Sequence, residues 1–180
     1  MAGKFDVRFD DREVKKLIDK LSIRVKKPKP LFETIGRYVM SATMLMFRGK
    51  RPDTGGVRGV KWDKLAQSTL KNKAAAKARG KAIEIDRPLV RTGKLRDSLA
   101  RKSALTVSDR GLTYGTNVKS DGNFPYPGMH NVGSNNAGKN KNIKIPARRW
   151  LFLTKSDLQQ ILFTTKEWLE GRRIKMKAAK

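Results

Sequence analysis

The segment Leu31-Phe32-Glu33-Thr34-Ile35-Gly36-Arg37-Tyr38-Val39-Met40-Ser41-Ala42-Thr43-Met44-Leu45-Met46-Phe47 decides the fold. Leu31, Ile35, Val39, Ala42 and Met46 recur at steps of four, four, three and four, the spacing that stacks side chains on one face of an α-helix. Phe32, Tyr38, Met40, Met44, Leu45 and Phe47 widen that stripe. The helix is therefore expected to be covered on two sides, either as the main core helix of a domain or as a helix lying in an interface.

Toward the N-terminus, Lys26, Lys27 and Lys29 interleave with Pro28 and Pro30, which predicts an extended linker. Before it, Val14, Leu17, Ile18 and Leu21 share one face of a short helix over 11–21. Phe5, Val7 and Phe9 alternate with Asp6 and Arg8 as a short strand would.

Toward the C-terminus, residues 49–61 read as a glycine-punctuated loop. A second, less buried helix is expected over 63–79, stopped by Gly80. Ile83 and Ile85 suggest a brief extended piece. Residues 92–99 suggest a short helix capped by Thr92, with Leu95 and Leu99 facing inward. The period then changes: residues 103–108 and 112–116 flank Asp109-Arg110-Gly111, a hairpin signal. Residues 117–142, rich in glycine and asparagine, are expected to form a long loop. Ile143 and Ile145 mark an edge strand. Ser156 and Gln159 suggest a capping box for a final helix lined by Leu158, Ile161, Leu162, Thr165, Trp168 and Leu169 and ending at Gly171.

This order predicts an α+β fold, with a small antiparallel β-sheet packed against a long α-helix, further helices and extended basic termini. Three regions are expected: an N-terminal arm and short helix over 1–30, a domain over 31–170, and a basic tail over 171–180.

Lysine and arginine total 42 against 16 aspartates and glutamates, a formal charge of +26 in 180 residues. Only 111–138 is exempt, with one charge of each sign. Such a chain repels itself unless nucleic acid, an acidic partner or a neighbouring subunit offsets the charge. The absence of cysteine removes disulfides and thiolate metal sites, and His130 is the single histidine, so a multi-histidine site within one chain is excluded. Residues 1–9 lack the apolar core of a secretory signal, and no apolar run approaches the ~20 residues of a membrane span.

Enzyme readings find little support. His130 would need an orienting partner such as Asp121 to act as a general base, and it reads instead as a surface or hydrogen-bonded structural residue. Asp6, Asp10 and Asp11 are close in sequence, but ordinary salt pairing accounts for them better than a metal site. Gly49 to Gly56 lacks the ordered lysine and hydroxyl of a phosphate loop and follows a helix, not a strand. Lys71, Lys73, Lys77, Arg79 and Lys81 lie among alanines in a basic helix suited to phosphates, solvent or a neighbouring subunit. No zinc finger or helix-turn-helix pattern is present, so base readout is not expected.

Several separated strings then line up in order: Arg48-Gly49-Lys50-Arg51-Pro52-Asp53, Trp62-Asp63-Lys64-Leu65, Arg91-Thr92-Gly93-Lys94-Leu95-Arg96-Asp97-Ser98-Leu99, Tyr114-Gly115-Thr116-Asn117, Phe124-Pro125-Tyr126 with His130-Asn131 and Gly133, and Ile145-Pro146-Ala147-Arg148-Arg149-Trp150-Leu151. Over about residues 31–170 the order resembles the phage virion morphogenesis proteins, the tail-completion family of tailed phages.

The resemblance implies structural work without a cofactor: completing the tail and making it competent to join the filled head. It implies a ring at the neck, commonly a hexamer. The tail tube, head-closure or connector proteins and packaged double-stranded DNA would be its partners, the last bound without sequence preference, and no membrane is involved. Its location would be the virion tail or neck, and the host cytoplasm during assembly. Trp62, Arg149, Trp150, Tyr126 and His130 are candidate contacts to neighbouring proteins, although Trp62 and Trp150 equally suit the interior of one subunit. Lys71, Lys73, Lys77, Arg79, Lys81, Arg91, Lys94, Arg96, Arg172 and Arg173 are candidates to face the DNA channel or a subunit border. Arg148 and Arg149 are expected to fix the strand before the last helix to a neighbour. A free nucleic-acid-binding protein would explain the charge but not the ordered strings. A packaging-associated nuclease using Asp6, Asp10, Asp11 or His130 is the other rival.

Overall fold

The computed structural model describes residues 12–48, 53, 56–120, 122–138, 140 and 142–176. The expected strand at Phe5 to Phe9, most of the 49–55 loop and the end of the basic tail lie outside the described residues. Within them the fold is α+β.

Helix α1 (Arg12–Lys26) carries Glu13 in its first turn and Arg24 and Lys26 in its last, charges that complement the helix dipole. It buries none of its residues. The expected linker at Lys26 to Pro30 is corrected. Helix α2 (Lys29–Leu45) follows after two residues, with Pro28 as its N-cap. Pro30 falls in the first turn, where a missing N–H leaves no hydrogen bond unmade.

The double coverage of α2 is present. Leu31, Ile35, Tyr38 and Ala42 are buried on one side, and Gly36, Thr43 and Met44 on the other. At 17 residues it is not a dominant long helix, since α1 and the last helix each have 15.

Helix α3 (Gln67–Ala78) starts later than expected. It ends in a Schellman arrangement: Gly80 takes a φ of +79°, its N–H reaches the Lys77 carbonyl (2.9 Å), and Lys81 N–H reaches Ala76 (3.2 Å). Helix α4 (Lys94–Ala100) is capped by Gly93 at a φ of +80°, not by Thr92. Ile83 is buried, yet 83–85 forms no strand.

After a 3-10 turn (Lys102–Ala104), strands β1 (Leu105–Ser108) and β2 (Gly111–Tyr114) pair antiparallel around Asp109-Arg110, where the hairpin was expected. The hairpin lies on α2. A Cβ at Gly36 would stand 2.6 Å from Leu105 Cδ1, so glycine there permits the close approach.

The expected loop over 117–142 is corrected. It contains helix α5 (Tyr126–Val132) and strand β3 (Ser134–Ala137), which pairs antiparallel with β4 (Ile143–Ile145). Pro127 in the first turn and Gly133 at a φ of +82° bound α5. The single sheet is corrected as well, because the described residues form two separate two-stranded sheets.

Helix α6 (Lys155–Leu169) has a capping box, but it is Thr154 with Asp157, not Ser156 with Gln159. Asp157 N–H reaches Thr154 Oγ1 (3.1 Å), and Thr154 N–H reaches Asp157 Oδ2 (2.6 Å).

The core gathers Met44, Met46, Phe47, Val90, Leu95 and Leu99 around Trp62 and Trp150. Phe47 meets Trp62 edge-on at 6.2 Å between ring centroids and lies 6.4 Å from Trp150. Both indole N–H groups are satisfied, by the carbonyls of Arg149 (3.0 Å) and Pro127 (3.1 Å).

Candidate functional site

The separated sequence strings hold each other in place. Asn131 Oδ1 accepts from the backbone N–H of Trp150 (2.9 Å) and Leu151 (3.1 Å). Arg148 N–H donates to the His130 carbonyl (2.7 Å). The Arg148 guanidinium turns inward to the carbonyls of Asp63 (3.2 Å) and Lys64 (3.3 Å). A Cβ at Gly133 would stand 2.9 Å from Ala147 N. The histidine-asparagine segment, the Trp62 segment and the 145–151 segment thus form one buckle.

This geometry relocates several candidates. Trp62 and Trp150 are 2% and 4% exposed, so they fill the subunit interior and offer a neighbour almost no surface. Arg148 is buried and serves its own subunit rather than a neighbour, whereas the Arg149 side chain is exposed. Lys73 is also buried, its Nζ donating to the Arg87 carbonyl (2.8 Å), so it does not face DNA. Burial lowers the Lys73 pKa in spite of Asp86 and Glu84. Arg96 is held by Asp97 (2.8 Å) and Glu84 (3.3 Å), and Arg172 by Glu167 (2.6 Å) and Glu170 (3.2 Å). Arg173 is exposed.

Lys71, Lys77 and Arg79 are exposed on α3 and its C-cap, and among the described residues none has a carboxylate at ion-pair distance.

Other candidates converge on a cleft of about 550 Å³ between α3, the 81–95 segment and α5. Lys73, Lys81, Arg91, Lys94, Lys119 and Arg148 line it together with Tyr126 and His130, and no aspartate or glutamate does. Leu65, Ile83, Leu89 and Leu95 supply its apolar wall.

Tyr126 and His130 are half-buried, their rings edge-on at 6.1 Å. Burial raises the Tyr126 pKa. Burial and then the Arg148 charge lower that of His130, which favours neutral imidazole. His130 Nδ1 is buried without a hydrogen-bond partner among the described residues. The arrangement is suited to receiving anionic groups. Among the described residues no group of three or more histidine, aspartate or glutamate side chains could hold a metal ion, and no helix is long and apolar enough to cross a membrane. Asp6, Asp10 and Asp11 lie outside the described residues.

Two features were not anticipated from the sequence. One is a buried polar node: Tyr38 Oη donates to Asp157 Oδ1 (2.6 Å), and the Arg58 guanidinium pairs with Asp157 Oδ2. Arg58 also donates to the Ala42 carbonyl (3.3 Å) and lies 4.8 Å over the Phe152 ring. The other is apolar exposure on two neighbouring helices: Val14, Leu17, Ile18, Ile23 and Val25 of α1, and Leu158, Leu162 and Phe163 of α6. Arg24 joins these helices by donating to the Leu169 carbonyl (2.6 Å).

Comparison with curated proteins and with solved structures finds no match. A model of the phage virion morphogenesis family matches residues 9–170, most of the chain and every string in the buckle. The chain therefore belongs to the phage virion morphogenesis family, and its role is structural rather than enzymatic, in tail completion and head–tail joining at the tail and neck of the virion.

Proposed function

We propose that the chain assembles into a closed six-membered ring at the head-proximal end of the tail. There it bridges the tail tube to head-closure or connector proteins and surrounds packaged double-stranded DNA without reading its sequence. The observation that carries this reading is the apolar surface of α1 and α6. Eight large apolar side chains on these two adjoining helices are 48–69% exposed. A soluble monomer seldom leaves so much apolar surface open, whereas assembly with neighbouring virion proteins covers it. The exposed Lys71, Lys77 and Arg79 supply phosphate contacts, which carry no sequence information and suit a channel through which any sequence passes.

The test is in vitro joining. Tails from a phage lacking this protein are incubated with purified chain and then with filled heads. Restored joining by the wild type, and loss with Leu162→Glu or Leu17→Glu protein that keeps its helical circular dichroism, is the expected result. Undiminished joining by both variants would contradict the reading of this surface. No joining with the wild type would point instead to a free nucleic-acid-binding protein.

A further inference from the structure

The basic cleft has an apolar wall and a concave form, and these features select among anionic occupants. A DNA duplex is a convex polyanion whose phosphates are well met by exposed cations such as those on α3. A cleft lined by Ile83 and Leu89 together with Lys81, Arg91 and Lys119 suits a peptide that alternates carboxylates with apolar side chains. None of these three cations has a carboxylate at ion-pair distance among the described residues.

The chain itself carries such a peptide. Phe5-Asp6-Val7-Arg8-Phe9-Asp10-Asp11 holds three aspartates against one arginine, in a molecule where bases outnumber acids 42 to 16. Phe5, Val7 and Phe9 alternate with its polar residues. Residues 1–11 lie outside the described part of the chain and join it at Arg12, the start of α1. Eleven extended residues span at most about 36–40 Å, enough to cross a subunit border. Helix α1 rests against α6 through Arg24, and no residue of either helix lines the cleft. The segment therefore leaves from elements other than those that build the cleft.

We propose that the cleft receives the amino-terminal segment, residues 5–11, of a second copy of this chain. Asp6, Asp10 and Asp11 meet Lys81, Arg91 and Lys119, and Phe5, Val7 and Phe9 cover the apolar wall. The contact is head-to-tail, the type that generates a ring when its rotation closes. It rests on the ring reading and names one of the contacts that close the ring.

The absence of cysteine permits a clean test on assembled particles. Chains carrying both Asp10→Cys and Arg91→Cys are built into virions and treated with a short bismaleimide, and the ring is imaged in the same preparation. The expected result is a covalent ladder of multimers from the double variant and none from either single variant. A ring without the ladder would overturn this proposal and leave the ring standing, with the cleft holding something else, DNA included. Crosslinking only within single chains would assign the cleft to the chain's own segment and also overturn it. Particles without a ring would remove both readings.

A charge swap guards against loss of fold. Asp6→Lys, Asp10→Lys and Asp11→Lys together leave the described residues unchanged, and are expected to lower infectivity at least about tenfold, since roughly 1.4 kcal/mol of lost contact suffices for that factor in an equilibrium. Adding Lys81→Glu, Arg91→Glu and Lys119→Glu is expected to restore it. Unchanged infectivity in the aspartate variant would contradict the proposal.

Discussion

Asp157 answers to three segments at once. Its carboxylate accepts from Tyr38 on α2 and from the Thr154 backbone, and pairs with Arg58 beyond the loop. Burial alone would raise its pKa. The Tyr38 hydroxyl, Thr154 and the Arg58 charge outweigh that and hold it below the ordinary carboxylate value. The ion-paired side chains are 2% and 5% exposed, so removing one partner strands a buried charge. Asp157→Ala is expected to cost about 3–5 kcal/mol in urea unfolding.

The folded pKa of Asp157 lies below the unfolded one, so the contribution is complete above about pH 4 and is lost as pH falls through the folded value. Thermal scans should show wild type losing Tm below pH 4 more steeply than Asp157→Asn. At the other end, Tyr38 is pushed up to about 12 by burial and by Asp157, and Tyr114 to about 12 by burial. Their folded pKa values exceed the unfolded one, so stability falls as pH rises from about 10 toward 12. Ultraviolet titration of phenolate should find these two ionising late, and ordinary ionisation near 10 for both would contradict their placement. None of this node was legible in the sequence, because Tyr38 and Arg58 lie 119 and 99 positions from Asp157 and no local spacing joins them.

Helices with an apolar period were legible; elements defined by backbone pairing were not. The stripe from Leu31 to Met46 announces α2, and Asp109-Arg110-Gly111 announces the β1–β2 hairpin. Strand β3 reads Ser134-Asn135-Asn136-Ala137, with no alternation to reveal it, and exists through its pairing with β4. The sequence pattern does not separate the Thr154–Asp157 box from one starting at Ser156, because both start points fit the same short spacing. Trp62 and Trp150 suit a core and an interface alike in sequence, since aromatic residues serve both, and only packing distinguishes the two.

Gly133 has no room for a side chain. It leaves α5 at a φ of +82° and a ψ of 172°, a conformation almost confined to glycine, and an added Cβ would meet backbone, 2.9 Å from Ala147 N and 3.1 Å from Ile145 O. Backbone atoms held by the buckle cannot step aside as a side-chain tip can. Gly133→Ala is expected to cost about 3 kcal/mol in chemical denaturation. A cost below about 0.5 kcal/mol would mean that the α5 exit is not built this way.

A charge of +26 and an exposed apolar surface are liabilities for a free monomer and would be assets in the proposed assembly around DNA. The charge was fully legible in the sequence. The distinction between serving the fold and serving a partner was not, since Lys73 and Arg148 turned inward while Lys71, Lys77 and Arg79 remained exposed. Binding to duplex DNA should be independent of sequence and fall steeply with salt. Replacing Lys71, Lys77 and Arg79 with alanine should reduce the slope of log affinity against log salt by up to about 3. An unchanged slope would remove α3 from the DNA surface.

The chain does structural work at the junction of tail and head. Cryo-electron microscopy of intact virions tests it most directly. The expected result is a closed ring of this chain at the head-proximal end of the tail, with Lys71, Lys77 and Arg79 turned toward the DNA and α1 and α6 covered by neighbouring protein. Particles that join heads to tails with no copy of the chain at the junction would contradict it.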